Sequence, residues 1–157
     1  MTALRLKTGV LAAIAAAAEA AYPNECCGLL VGRREGAGET AIFDITEAVP
    51  APNVAPEPAR HFEVDPAVLL ATHRAARDAG LEILGPYHSH PNGAAQPSPT
   101  DTARAADAGM AGTAGEVWLI VPVGGDGDGG AGAPRAFVFD GGTFSEITQG
   151  VASETGD

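Results

Sequence analysis

The class this sequence predicts is a mixed α/β fold, a β-sheet flanked by about three α-helices. Three observations lead there. Segments with apolar residues at helical spacing alternate with short apolar or alternating runs of strand type. Clusters of Gly, Pro and Asp separate most of them. The chain has 157 residues, 45% of them hydrophobic, which suffices for one domain with a buried core but not for two.

The elements follow in order. Arg5 and Lys7 precede a run from Gly9 to Ala18, and Ala18-Glu19-Ala20 has the form of a signal-peptidase site. The competing reading, which we adopt, is an alanine-rich helix with Val10, Leu11, Ile14 and Ala18 on one face, ended by Tyr22-Pro23. The run is too short to span a bilayer. Cys26 to Arg33 predicts a buried strand, Gly36-Ala37-Gly38 a turn, and Thr40 to Val49 a second strand. Pro50 to Ala59, with four prolines, predicts an irregular loop, and Arg60 to Val64 alternates like a half-buried strand. Asp65 and Pro66 are an N-cap and first helical residue; Val68, Leu69, Thr72 and Ala76 continue at helical spacing until Gly80. Leu81 to His90 returns as a strand, and a helix runs from Pro99 to about Met110. Glu116 to Val123 is a strong strand, and Gly124 to Ala133 reads as a mobile hairpin loop. Arg135 to Asp140 and Thr143 to Ile147 close the sheet. The single domain is expected to span residues 1–149, with 150–157 a flexible tail.

Composition excludes several partners. A net charge of −11 repels phosphate backbones, which argues against nucleic acid and anionic membranes. The adjacent Cys26 and Cys27 cannot readily reach disulfide geometry, so a reducing compartment, the cytoplasm, is expected.

The chemistry concentrates in His88-Ser89-His90-Pro91, Ser98 and Asp101. Residues two apart on a strand share a face, so His88 and His90 can aim at one metal while Ser89 points away. Asp101, in the first turn of the next helix, completes three protein ligands and leaves a fourth zinc position for water, as in catalytic sites. Zinc lowers the pKa of such a water to about 7. Glu25 is the candidate general base, a carboxylate at the edge of an apolar run where it is costly unless used or paired. Ser98-Pro99-Thr100-Asp101 also satisfies a plain capping pattern and gains catalytic meaning only through the histidines upstream. Ser98 can then donate to the oxyanion of a tetrahedral intermediate.

Glu25, His88-Ser89-His90-Pro91 and Ser98-x-x-Asp101, with seven residues between His90 and Ser98, resemble the motif of the JAMM (MPN-plus) zinc metalloproteases without a substitution. Pro23 to Gly32 is similar to the first-strand motif of their short prokaryotic members, and the likeness extends from about Leu4 to Ile147. The resemblance implies a cytidine-deaminase-like fold and hydrolysis of peptide or isopeptide bonds. It implies one Zn2+ per chain on His88, His90 and Asp101, with Glu25 as acid/base and Ser98 as oxyanion stabiliser. The short bacterial relatives imply a substrate of ubiquitin-like, sulfur-carrier type, delivering its C-terminal Gly-Gly tail along a sheet edge. A homodimer stays open.

Two other classes compete. Nucleobase deaminases use H-x-E with a later P-C-x-x-C, and this chain has no cysteine after Cys27. A zinc-binding interaction module without turnover is the alternative that remains. Cys27, sharing a face with Glu25, is expected to pack in the core. His61 and His73 are expected at the surface, with His61 a substrate-contact candidate, and Trp118 is expected in the core. Gly124 to Ala133 lacks the spacing of a phosphate loop.

Overall fold

The computed structural model describes residues 2–36, 40–107, 115–124, 129–140 and 142–151. Among the described residues, seven strands and three helices follow in the order β1 (Ala3–Leu6), α1 (Val10–Ala21), β2 (Cys27–Glu35), β3 (Ile42–Ala51), α2 (Pro66–Asp78), β4 (Glu82–His90), α3 (Pro99–Asp107), β5 (Val117–Pro122), β6 (Arg135–Asp140) and β7 (Thr143–Val151). The turn expected at 37–38, the continuation of α3 to Met110, residues 125–128 of the glycine loop and the tail from 152 lie outside the described residues.

The sheet is mixed, as expected, but it closes on itself in the order β1-β3-β2-β4-β5-β6-β7. Closure depends on β1, an element the sequence reading missed. Leu4 and Leu6 point inward and are buried, while Arg5 points out to Asp44 (3.0 Å) and Glu35 (3.1 Å). This four-residue strand pairs in parallel with β3 on one side and β7 on the other. Its pairing carries β7 through Gly150 and Val151, which stand opposite Arg5 and Leu6. A second correction concerns residues 60–64, which form no strand; Val64 makes only an isolated bridge to Asn53.

Alternation explains why the middle strands read as unbroken apolar runs, since both of their faces are buried. In β2, Leu30 joins one cluster while Leu29 and Val31 join the other. Leu84 and Ile83 of β4, and Leu119 and Trp118 of β5, divide the same way. The first cluster receives Val10, Ile14 and Ala18 of α1, so the alanine-rich run is a folded helix whose larger side chains each contribute about 1.5–3 kcal/mol by burial. The second receives Ala76 of α2, Ala105 of α3 and Phe62. Helix α2 starts and stops as its sequence predicts: the Asp65 side chain accepts from the Ala67 amide, and Gly80 follows the C-cap at φ +74°.

The described flanks of the glycine-rich segment are tied down. Val123 bridges Ala131, the Gly132 amide donates to Pro122, and the Ala131 amide donates to Glu19 of α1. Gly124 and Gly129 lie so close to the Tyr22 ring that a Cβ at either would stand 2.6 or 3.1 Å from it.

Two glycines are dictated by backbone contact. A Cβ at Gly32, beside the β2 bulge, would stand 1.9 Å from the Asp44 carbonyl oxygen, and one at Gly85 would stand 1.8 Å from that of Val117. Because neither obstacle is a flexible side chain, Gly32→Ala and Gly85→Ala should each cost about 2 kcal/mol or more. Denaturant unfolding of the purified variants measures this; an unchanged midpoint would refute it.

Candidate metal centre and active site

The site forms at the C-terminal end of β4, where that strand pairs in parallel with β5: His88 stands opposite Ile120 and His90 opposite Pro122. His88 and His90 share a face, and their Nε2 atoms are 3.0 Å apart. Asp101 enters from the first turn of α3, with Oδ2 3.3 Å from His88 Nε2 and 3.1 Å from His90 Nε2. Glu25, two residues before β2, approaches from a fourth side: one donor atom each from Glu25, His88 and His90 lie within 4.8 Å of one another. All four residues are buried. Glu25, His88, His90 and Asp101 therefore converge on one place, although Glu25 is remote in sequence.

The cap and the cluster use the same residues. Ser98 Oγ accepts the Asp101 amide (3.0 Å), and Asp101 Oδ2 accepts the Ser98 amide (2.9 Å), a reciprocal capping box. The capping reading is thus correct as structure, and it fixes the carboxylate that faces the imidazoles. Among the described residues nothing accepts the Ser98 hydroxyl proton.

Local contacts orient the rings. His90 Nδ1 donates to the Ala94 carbonyl (3.1 Å), which turns its Nε2 lone pair toward the cluster. The His88 ring stacks on Phe62 (centroids 4.2 Å apart, planes at 18°) and meets the edge of Trp118. Trp118 is fully buried, as expected of a core residue, and it also walls the site.

Electrostatics follow from this packing. Burial pushes the Glu25 carboxyl up to about 7; His90 and Arg104 oppose the rise and Asp101 adds to it. Burial also lowers His88, against the pull of Asp101. For His90 burial is outweighed by the hydrogen bond and charge of Asp101, and its pKa is raised. Burial alone would raise Asp101, but the facing imidazoles and the Ser98 amide hold it well below the usual carboxylate range.

The donor set fits a zinc ion. Ligands about 2.0–2.1 Å from a tetrahedral zinc stand roughly 3.3 Å apart. The three atoms of the His88, His90 and Asp101 triangle are separated by 3.0, 3.1 and 3.3 Å. With each imidazole carrying its proton on Nδ1, a cation would take both Nε2 lone pairs and the Asp101 carboxylate together. Glu25 Oε1 is buried with no hydrogen-bond partner among the described residues, a costly state for a carboxylate without an external partner.

The Cys27 thiol packs in the second core cluster facing the carbonyls of Ala51, Pro52 and Glu63, and burial pushes its pKa up to about 12. His61 and His73 are both partly exposed. Asn53 was missed altogether. Its side-chain oxygen accepts from Ala55 and Glu63 and its amide donates to Glu25 and His61, organising the proline loop beside the site. Its position two residues before Ala55 in a proline-rich turn was the available signal.

The fold is a closed mixed barrel, and at the end of its parallel β4–β5 pair lies a buried His–His–carboxylate cluster that could hold a metal ion. The chain belongs to the prokaryotic JAB family: the family described as prokaryotic homologs of the JAB domain matches residues 7–137. It is 42% identical over 79 residues to a probable TtuB-protein conjugate cleaving protease of Thermus thermophilus, covering 50% of this chain and 47% of that protein. It is 40% identical over 83 residues to a desampylase of Haloferax volcanii, covering 53% and 55%. The chain thus spans about half the length of these curated relatives. Among solved structures, protein DSY2949 of Desulfitobacterium hafniense superposes with a TM-score of 0.76 at 27% identity, over 98% of this chain and 94% of that one.

Proposed function

We propose that this protein is a zinc-dependent peptidase or isopeptidase that cleaves at the C-terminal end of a ubiquitin-like protein of the sulfur-carrier type. The observation that carries the reading is the buried triangle of His88, His90 and Asp101 beside the unpartnered Glu25 carboxylate. Two relatives support the substrate class: one is named a probable TtuB-protein conjugate cleaving protease and the other a desampylase.

In this reading His88, His90 and Asp101 hold one zinc ion. Bound zinc supplies Lewis acidity, which makes a water nucleophilic at neutral pH. Glu25 takes a proton from the attacking water and delivers it to the leaving amine. Burial suits the carboxyl to both halves of that task, since it brings its pKa near neutrality. Ser98 donates its free hydroxyl proton to the oxyanion while its oxygen stays fixed by the Asp101 amide. Phe62 and Trp118 exclude water from the buried side of His88. A single catalytic domain, carried by β7 to Val151, kinship with the cytidine-deaminase-like folds and a cytoplasmic location belong to the same proposal. No helix among the described residues is long and apolar enough to cross a membrane.

The test uses a ubiquitin-like carrier ending in Gly-Gly, extended by a short peptide or joined to a lysine of a second protein. The zinc-loaded protein should release the carrier. Chelation should abolish release, and added zinc should restore it. Stoichiometric zinc binding with no cleavage of either substrate would overturn the peptidase reading in favour of a zinc-binding interaction module.

A further inference from the structure

Moving a proton beside the histidine pair requires Glu25 to be placed precisely relative to it, yet its own carboxylate is not what holds it. Glu25 Oε1 has no hydrogen-bond partner among the described residues. Glu25 also lies outside the strand ladder, whose last pair on this side is Cys27 with His88. Its position must therefore come from the peptide groups on either side of its Cα.

Both are pinned. The Glu25 amide donates to the Pro58 carbonyl (2.7 Å). The next peptide group, Glu25–Cys26, is held at both ends by side chains. Its carbonyl accepts from Asn53 Nδ2 (3.0 Å), and its N–H donates to Ser89 Oγ (2.8 Å). Ser89 is the residue between the two histidines, turned to the opposite face of β4, and its own amide donates back to the Cys26 carbonyl (3.1 Å). One hydroxyl thus ties the backbone beside the base to the strand that carries His88 and His90. Asn53 ties it to the proline loop, in which the same side chain accepts from Ala55 and Glu63 (both 3.0 Å) and donates to His61 (2.9 Å).

We infer that Ser89 and Asn53 are positioning residues: a two-sided clamp on the Glu25–Cys26 peptide that sets the general base relative to the metal-ligand pair. The clamp leaves the carboxylate free of protein hydrogen bonds, as a group that must take up and release a proton requires. It also gives Ser89 a task that the pattern His-x-His does not reveal, because the residue between two ligands faces away from the metal. Misplacing a catalytic group by about 1 Å can cost on the order of 100-fold in rate. Loosening either side should therefore act on turnover more than on substrate or metal binding. The inference rests on the assignment of Glu25 as the base.

The test compares Ser89→Ala and Asn53→Asp with the parent, each zinc-loaded, on the Gly-Gly carrier substrate. Asn53→Asp sets a carboxylate oxygen against the Glu25 and His61 carbonyls. Both variants should lose about 10-fold or more in kcat. KM and zinc bound per chain should not change. In a Glu25→Gln background the same substitutions should change the residual rate by less than about twofold, since the clamp then has no base to place. Amide hydrogen exchange at Cys26 should quicken in Ser89→Ala, a readout independent of activity. If Asn53→Asp fails to fold, Ser89→Ala decides alone. A parent-like kcat in zinc-loaded Ser89→Ala would overturn the clamp, as would an equal loss in the two backgrounds. If Glu25→Gln itself keeps the parent rate, the assignment of the base is what has failed, and the clamp falls with it.

Discussion

Glu25→Gln should keep stoichiometric zinc and lose about 10²–10⁴ in the rate of carrier cleavage, the usual contribution of a positioned acid–base group. The reason is geometric: His88, His90 and Asp101 close a triangle of donors without Glu25, whose Oε1 stays unpartnered at its edge. Zinc content by elemental analysis beside a single-turnover assay measures both halves. Loss of zinc in this variant would make Glu25 a ligand instead. The same substitution has a second consequence in the metal-free protein. Burial raises the folded-state pKa of Glu25 from 4.5 to about 7, so the unfolded chain gives up its proton first as pH rises. The carboxyl therefore costs no stability well below pH 4.5, costs progressively more up to about pH 7, and keeps that cost above. Glu25→Gln should then stabilise the metal-free protein at pH 8 by roughly 1–3 kcal/mol and leave it unchanged near pH 4. Urea unfolding at the two pH values would show it; equal stability at pH 8 would refute it.

Asp101→Asn should lower zinc affinity by more than about 100-fold while leaving α3 folded. Asparagine keeps an oxygen that accepts the Ser98 amide, so the capping box survives, but it removes the negative charge facing the two imidazoles. Asp101→Ala removes both and should lose the metal together with about 1 kcal/mol of cap energy. The pair of variants separates the two functions of one carboxylate. Parent-like zinc affinity in Asp101→Asn would reduce Asp101 to a capping residue and leave the metal to Glu25, His88 and His90, the other set whose donor atoms converge.

Local chemistry made much of the molecule legible. The α2 boundaries rest on Asp65, Pro66 and Gly80, each of which has a short-range physical role, and all three occur where that role predicts. The strands β2, β4 and β5 announce themselves because they are apolar on both faces. His88 and His90 were legible because a two-residue period on a strand needs no tertiary information. The failures have one common cause. Leu4 and Leu6 give a strand signal only four residues long, and its meaning depends on partners more than thirty residues away in β3 and more than one hundred away in β7. Residues 60–64 alternate like a strand but find no neighbouring ladder beyond the bridge at Val64. The flanks of the glycine loop are ordered by Tyr22 and Glu19 of α1, which no local composition can report.

By itself, then, the sequence determined the mixed α/β class, the three helices and the candidate donors, because periodicity, capping and ligand chemistry act over a few residues. Tertiary structure decided what depends on remote segments meeting. It closed the sheet through β1, and it brought Glu25 to the face shared by His88, His90 and Asp101. It also turned Ser89 and Asn53 onto the Glu25–Cys26 peptide. A hydrogen bond between groups sixty-three residues apart leaves no local trace, since its geometry exists only once the intervening chain has folded.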